Sequence, residues 1–223
     1  MNLQAKDPLH IVITGVGGQG NLAMSRLLGE ALISDGYLIT IGETLGMSQR
    51  NGAVTSLLRI SRDTQYMPLI PEGKGDIIVG LEPMETMRAL ASWGNPETFV
   101  ITNIRPVPPM AIATGKIDYP TRTGWITDSS RKKIEYPTLK TIKQYINALS
   151  QNAWYIDASQ IALDLGMPRL TNVVMVGALV SSGLTPWKED KVRRQIEINF
   201  GKKFLELNIK AFEAGLAIKI QQC

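Results

Sequence analysis

The sequence predicts an α/β fold: a Rossmann-like, mostly parallel sheet with helices on both faces, an irregular proline-rich excursion and C-terminal helices. Three observations carry this reading. A β-branched run at residues 10–14 ends in a glycine-rich turn and gives way to leucines at helical spacing. Short apolar runs then alternate with helical segments, and parallel strands need such crossovers. In the middle of the chain the alternation stops at a cluster of prolines.

Taken in order, residues 10–14 form the first strand, and Leu22, Leu27, Leu28, Ala31 and Leu32 mark the apolar stripe of the helix that follows. Residues 37–41 read as a second strand, 54–60 as a third and 76–80 as a fourth, which leads into a helix around 84–91. A fifth strand follows at 98–102. From Asn103 to Thr138 neither period persists. Arg105-Pro106-Val107-Pro108-Pro109 is incompatible with a helix interior or a central strand, and Pro120 and Pro137 add breaks, so a long excursion with an irregular hairpin is expected. Order returns with a helix at 139–149, a strand at 154–156 and a short helix ending about Gly166. Residues 172–180 are apolar nearly all round, as in a helix buried on most sides. Residues 188–219 read as one or two amphipathic helices with a break near Gly201.

Composition bounds the function. A chain of 223 residues with 44% hydrophobic content is compatible with one domain over 1–223, its core at 10–182 and a C-terminal helical segment at 188–220. The longest apolar runs are cut too early to span a membrane, and the N-terminus lacks the pattern of a secretory signal. A cytoplasmic protein is expected. The lone cysteine, Cys223, cannot make an internal disulfide, ligate an iron–sulfur cluster or form a Cys-x-x-Cys pair. The lone histidine, His10, is expected at a strand edge, because metal sites and His-dependent acid–base chemistry usually need more. The net charge of +4 comes from scattered lysines and arginines with one short run at Arg131-Lys132-Lys133, which fits a solvated surface or attraction to an acidic ligand or protein. No basic stripe is interleaved with aromatics, so no nucleic-acid partner is expected. Trp93, Trp125, Trp154 and Trp187 read as buried or interface anchors, not as an indole-binding box.

Two segments could carry chemistry. Gly15-x-Gly17-Gly18-Gln19-Gly20 has the spacing of a dinucleotide-binding loop, in which glycines let the backbone approach a phosphate at a helix N-terminus. The same turn can also serve tight helix–sheet packing or a subunit contact. Glu43, about twenty residues on, stands where a ribose-binding acid would sit, which supports a stand-alone NAD(P)-dependent dehydrogenase as the alternative reading. No Gly-Lys-Ser/Thr ending follows the glycines, so triphosphate hydrolysis is not expected. The second segment, Gly46-Met47-Ser48-Gln49-Arg50, offers hydroxyl, amide and guanidinium donors that could hold a phosphate, a carboxylate or a neighbouring subunit's backbone.

Together, residues 11–20 and Gly46-Met47-Ser48-Gln49-Arg50 resemble the gamma domain of the 2-oxoacid:ferredoxin oxidoreductases, and within that family the beta-subunit type of the indolepyruvate enzymes. Pro68-Leu69-Ile70-Pro71-Glu72-Gly73, the stretch from Asn103 to Pro109 and Asn172-Val173-Val174-Met175-Val176-Gly177-Ala178 extend the resemblance over residues 10–182. Asn51 departs from it where a second glycine is usual, and Lys74-Gly75 replaces an acidic-small pair.

The resemblance implies a complex that oxidatively decarboxylates arylpyruvates to acyl-CoA products and reduces ferredoxin. It implies no catalytic residue and no metal ligand in this chain. Thiamine diphosphate, Mg²⁺ and the iron–sulfur clusters would sit on a larger partner subunit, with CoA as co-substrate. Gly15, Gly17, Gly18, Gln19 and Gly20 would join Gly46, Met47, Ser48, Gln49 and Arg50 at the carboxyl ends of the first two strands, contacting the cofactor region or the partner.

Overall fold

The computed structural model describes residues 3–45, 52–108, 117–121, 124–128 and 135–220, with the side chains of 45 and 117–128 excepted. After a 3-10 turn at Leu3–Ala5 come β1 (Leu9–Val16), α1 (Asn21–Ile33), β2 (Leu38–Leu45), β3 (Ala53–Ser61), β4 (Ile77–Gly80), α2 (Pro83–Trp93) and β5 (Phe99–Asn103). A hairpin of β6 (Ile117–Thr121) and β7 (Gly124–Asp128) precedes α3 (Leu139–Leu149), β8 (Asn152–Ile156) and α4 (Ala158–Asp164). The described chain closes with α5 (Thr171–Ser181), α6 (Glu189–Asn199) and α7 (Lys202–Leu216). The proline-rich excursion thus does carry a hairpin, with Pro120 inside β6 opposite Trp125.

Six strands form one sheet in the order β2-β3-β1-β4-β5-β8. β1, β4, β5 and β8 run parallel. β3 is antiparallel to both its neighbours and lies between β1 and β2. The sheet is mostly parallel, as expected, but a dinucleotide-binding fold would pair the second strand directly with the first, and here an antiparallel strand separates them. His10 also needs correction. β1 starts at Leu9, so His10 is the second residue of a central, wholly buried strand instead of lying at its edge. Its Nδ1 lies 2.9 Å from the Lys74 carbonyl and its backbone N–H donates to Asp76.

Strand alternation assigns side chains to the two faces. Ile11, Ile13, Ile77 and Val79 face the larger core, with Leu28 and Leu32 of α1, Met175 of α5, Ile196 of α6 and Phe212 of α7. Val12, Ile78 and Val100 point the other way, onto Leu90 of α2 and Ile142 and Ile146 of α3. Each such side chain removed from water contributes about 1.5–3 kcal/mol, so the central strands anchor both helical layers. Local signals set the helix ends. The Thr138 side chain accepts the Thr141 N–H at the start of α3, and Pro83 occupies the first turn of α2, where its missing N–H costs nothing.

Residues 171–179 are all buried, as the all-round apolar pattern requires. Glycines let α5 and α7 touch backbone to backbone. A Cβ on Gly177 would stand 2.3 Å from the Phe212 carbonyl oxygen, and one on Gly215 2.1 Å from that of Val174. The C-terminal segment divides into two helices at Gly201, the N-cap of α7.

Candidate site at the carboxyl edge of the sheet

Chain direction reverses beside β1, since β4 pairs on one side of it and the β2–β3 hairpin on the other. Open α/β sheets bind ligands at the carboxyl ends of the strands flanking such a point. The glycine turn lies there. Gly18 and Gly20 have φ of 95° and 87°, values that side chains rarely adopt.

The turn is locked by side chains. Gln19 folds back so that its Oε1 accepts the Val16 N–H at 2.8 Å while its Nε2 donates to the Leu81 carbonyl at 3.0 Å. It takes the space where a Cβ on Gly15 would stand, 2.6 Å from that Oε1. Asn172, at the start of α5, does the same for Gly20: a Cβ there would meet its Nδ2 at 2.4 Å. Asn21 donates from Nδ2 to the Val54 carbonyl at 3.0 Å, tying α1 to β3. Two of the glycines therefore serve packing. Gly18 is different, being exposed with no described heavy atom within 4 Å of an added Cβ. It stands just before the N-terminus of α1, which no described side chain caps, so the positive end of the helix dipole there favours an anion.

The second segment's roots lie against this turn. Leu45 pairs with Val54, Val16 pairs with Ala53, and the Gly17 N–H donates to the Gly52 carbonyl at 2.9 Å. Gly46, Met47, Ser48, Gln49, Arg50 and Asn51 themselves lie outside the described residues. Glu43 does not meet the glycine turn. It is exposed on β2 opposite Ser56, two strand spacings from β1, or about 10 Å. The insertion of β3 takes Glu43 out of the ribose-binding position and removes one of the two supports of the dehydrogenase reading, the other being the glycine spacing.

Three polar groups that the sequence did not single out complete this edge. The Leu81 carbonyl, which holds Gln19, also accepts from Asn103 Nδ2 at 3.0 Å. The Asn103 Oδ1 in turn accepts the Ser159 N–H at 3.2 Å. Glu82, 1% exposed, accepts the Glu85 N–H at 2.9 Å, the Val107 N–H at 3.3 Å and the Tyr136 hydroxyl. Burial, then the bond to this carboxylate, pushes the Tyr136 phenol up. Burial also raises the Glu85 carboxyl, Arg88 at 3.3 Å opposes the rise, and the Glu82 charge adds to it. A local signal for Glu82 existed: Glu82-Pro83-Met84-Glu85 is an N-cap pattern with proline in the first turn and an acid three residues on.

Elsewhere the molecule offers less. A cavity of about 950 Å³ at the opposite, amino edge is lined by Lys6, Asp7, Asp35, Tyr37, Arg62 and Lys188. Its charges largely satisfy one another, with Asp35 held by Lys188 and Lys191 and Arg62 stacked on Tyr37. Trp187 is buried and donates to the Leu28 carbonyl, and Trp154 stacks on Phe99. Among the described residues, no three His, Cys, Asp or Glu side chains gather as metal ligands. No helix there is long and apolar enough to cross a membrane.

With that geometry in place, comparison with known proteins decides the family. The family described as pyruvate ferredoxin/flavodoxin oxidoreductase matches residues 10–218. The chain belongs to this family. It is 36% identical over 93% of its length to the indolepyruvate oxidoreductase subunit IorB of Thermococcus kodakarensis, 94% of which is covered. Among solved structures, it resembles the pyruvate oxidoreductase subunit PORC of Thermotoga maritima with a TM-score of 0.62 at 18% identity, covering 94% of this chain and 96% of that one. It also resembles the 2-oxoglutarate:ferredoxin oxidoreductase of Magnetococcus marinus, determined with 2-oxoglutarate, coenzyme A and succinyl-CoA, with a TM-score of 0.67 at 18% identity. That match covers 97% of this chain but 32% of the other, so the same fold occurs there within a longer polypeptide. The two structures speak to the fold; the family rests on the sequence.

Proposed function

We propose that this chain is the small, cofactor-free subunit of an indolepyruvate-type 2-oxoacid:ferredoxin oxidoreductase. In that complex its carboxyl edge completes an active site held mainly by a larger subunit. The observation that carries the reading is the convergence of the glycine turn, the residues flanking the 46–51 segment and both stems of the proline-rich excursion on one edge of the sheet, in a chain of this family.

Oxidative decarboxylation of an arylpyruvate needs an electron sink and one-electron carriers, and thiamine diphosphate with Mg²⁺ and iron–sulfur clusters on the larger subunit would supply them. This chain has one cysteine and, among its described residues, no group of three His, Cys, Asp or Glu placed to hold a metal, which supports a part of binding and shaping. The N-terminus of α1 beside Gly18, uncapped by any described side chain, offers N–H donors to an anionic group of CoA or of the cofactor region. Arg50, in the segment between Leu45 and Gly52, adds a guanidinium suited to phosphate or carboxylate. Electrons would pass to ferredoxin through the partner's clusters, in the cytoplasm.

The test is co-expression with the larger subunit, followed by arylpyruvate- and CoA-dependent reduction of ferredoxin or a viologen. Activity in the co-eluting pair and in neither chain alone supports the reading. A chain that ignores the larger subunit and binds NADH overturns it.

A further inference from the structure

Glu82 stands two residues beyond the end of β4, and its carboxylate has two oxygens with separate duties. One oxygen caps α2 through the Glu85 N–H at 2.9 Å. The other accepts both the Val107 N–H at 3.3 Å and the Tyr136 hydroxyl. Val107 lies on the stem by which the proline-rich excursion leaves β5, and Tyr136 on the stem by which it returns to α3. One buried carboxylate therefore fastens both stems to a single point. The residue before it, Leu81, holds Gln19 of the glycine turn through its carbonyl, so that fastening point is one peptide unit from the anchor of the turn. Capping α2 needs one oxygen at the surface. It does not call for an acid 1% exposed and bonded to two further segments.

We propose that Glu82 is a positioning residue of the complex. By binding Val107 and Tyr136 together it fixes where the two stems stand relative to the glycine turn, and through that the fit of substrate at the carboxyl edge. This rests on the enzyme reading above, so the experiment carries one arm that is independent of activity.

In the purified complex, Glu82→Gln keeps the size of the side chain but turns one acceptor into a donor facing donors. Tyr136→Phe removes a single hydroxyl and keeps the proposal testable should Glu82→Gln fail to fold. The first arm is the rate of tryptic cleavage at Lys116, Arg122, Arg131, Lys132 or Lys133, all between the two stems. Losing a hydrogen bond to a charged acceptor raises the population of released stems, and cleavage is expected to quicken about tenfold. The second arm is steady-state kinetics: KM for the 2-oxoacid or for CoA is expected to rise about fivefold or more with kcat within about twofold of wild type, as befits lost binding. Unchanged cleavage in both variants overturns the proposal. Faster cleavage with both kinetic parameters at wild-type values reduces Glu82 to a structural cap and also overturns it, as does a fall in kcat with KM unchanged. If the wild-type complex lacks 2-oxoacid activity, the enzyme reading fails and the kinetic claim falls with it, while the cleavage arm still decides whether Glu82 holds the stems.

Discussion

Replacing Gly18 and Gly20 separately by alanine distinguishes a turn built for packing from one built for a ligand. Both residues have positive φ, so each alanine costs about 1–2 kcal/mol for the backbone alone. At Gly18 no further described group is disturbed, because an added Cβ meets no described atom within 4 Å. At Gly20 the Cβ would stand 2.4 Å from the Asn172 amide nitrogen, which must swing away. Asn172 then gives up its contact with the Gly20 carbonyl, and the packing of α5 against the turn loosens. A further cost of about 1–3 kcal/mol is expected. Gly20→Ala should therefore lower stability by about 2–5 kcal/mol against about 1–2 for Gly18→Ala, read as denaturation midpoints of the purified protein. In the complex the ranking for CoA should reverse relative to stability, with Gly18→Ala weakening CoA more than its small stability cost explains. Equal stability losses at the two positions, or a larger loss at Gly18, would refute the claim that Asn172 fills the place of a Gly20 side chain.

Gly215→Ala should also destabilise, by about 3 kcal/mol or more, since its Cβ would stand 2.1 Å from a backbone oxygen of the facing helix and α5 and α7 would have to part. Thermal unfolding checks this, with Gly201→Ala, which meets no neighbour, as the control. His10 should make stability fall as the medium is acidified. Burial holds its folded-state pKa below the ordinary value of 6.5, so the unfolded chain takes up the proton first and stability is lost from 6.5 downward; urea midpoints of wild type and His10→Gln should converge on acidification. Arg50→Ala should raise KM for CoA about tenfold in the reconstituted complex, and unchanged CoA kinetics would remove Arg50 from the site.

Much of the fold was legible because it is local. The β1–turn–α1 unit, α3 at Leu139–Leu149, the buried α5 and the break at Gly201 all follow from spacing, capping and breakers within a few residues. The sense of β3 was not legible in the same way. With the second strand taken to end at residue 41, enough chain remained before residue 54 for a crossover. β2 in fact runs on to Leu45, and residues 46–52 are too few to return in parallel, so the pair closes as a hairpin. Glu43 and Thr44 hid this, because polar residues on an exposed edge strand look like loop. At the candidate site, composition and motif singled out the glycines, which the structure places at the carboxyl edge, and the Gly46–Arg50 segment, which lies outside the described residues. What holds the turn could not be found in that way: Gln19 reaches Leu81, Asn172 reaches Gly20, and Glu82 reaches Val107 and Tyr136, contacts that only tertiary folding brings together.

The most direct test of the account is amide hydrogen exchange of this chain alone and in complex with the larger subunit, read by peptide. The account predicts new protection at the carboxyl edge, over residues 15–23, 52–54 and 104–108, with the amino edge around 34–37 and 60–63 unchanged. Protection confined to the amino edge would place the partner on the wrong side of the sheet and contradict it.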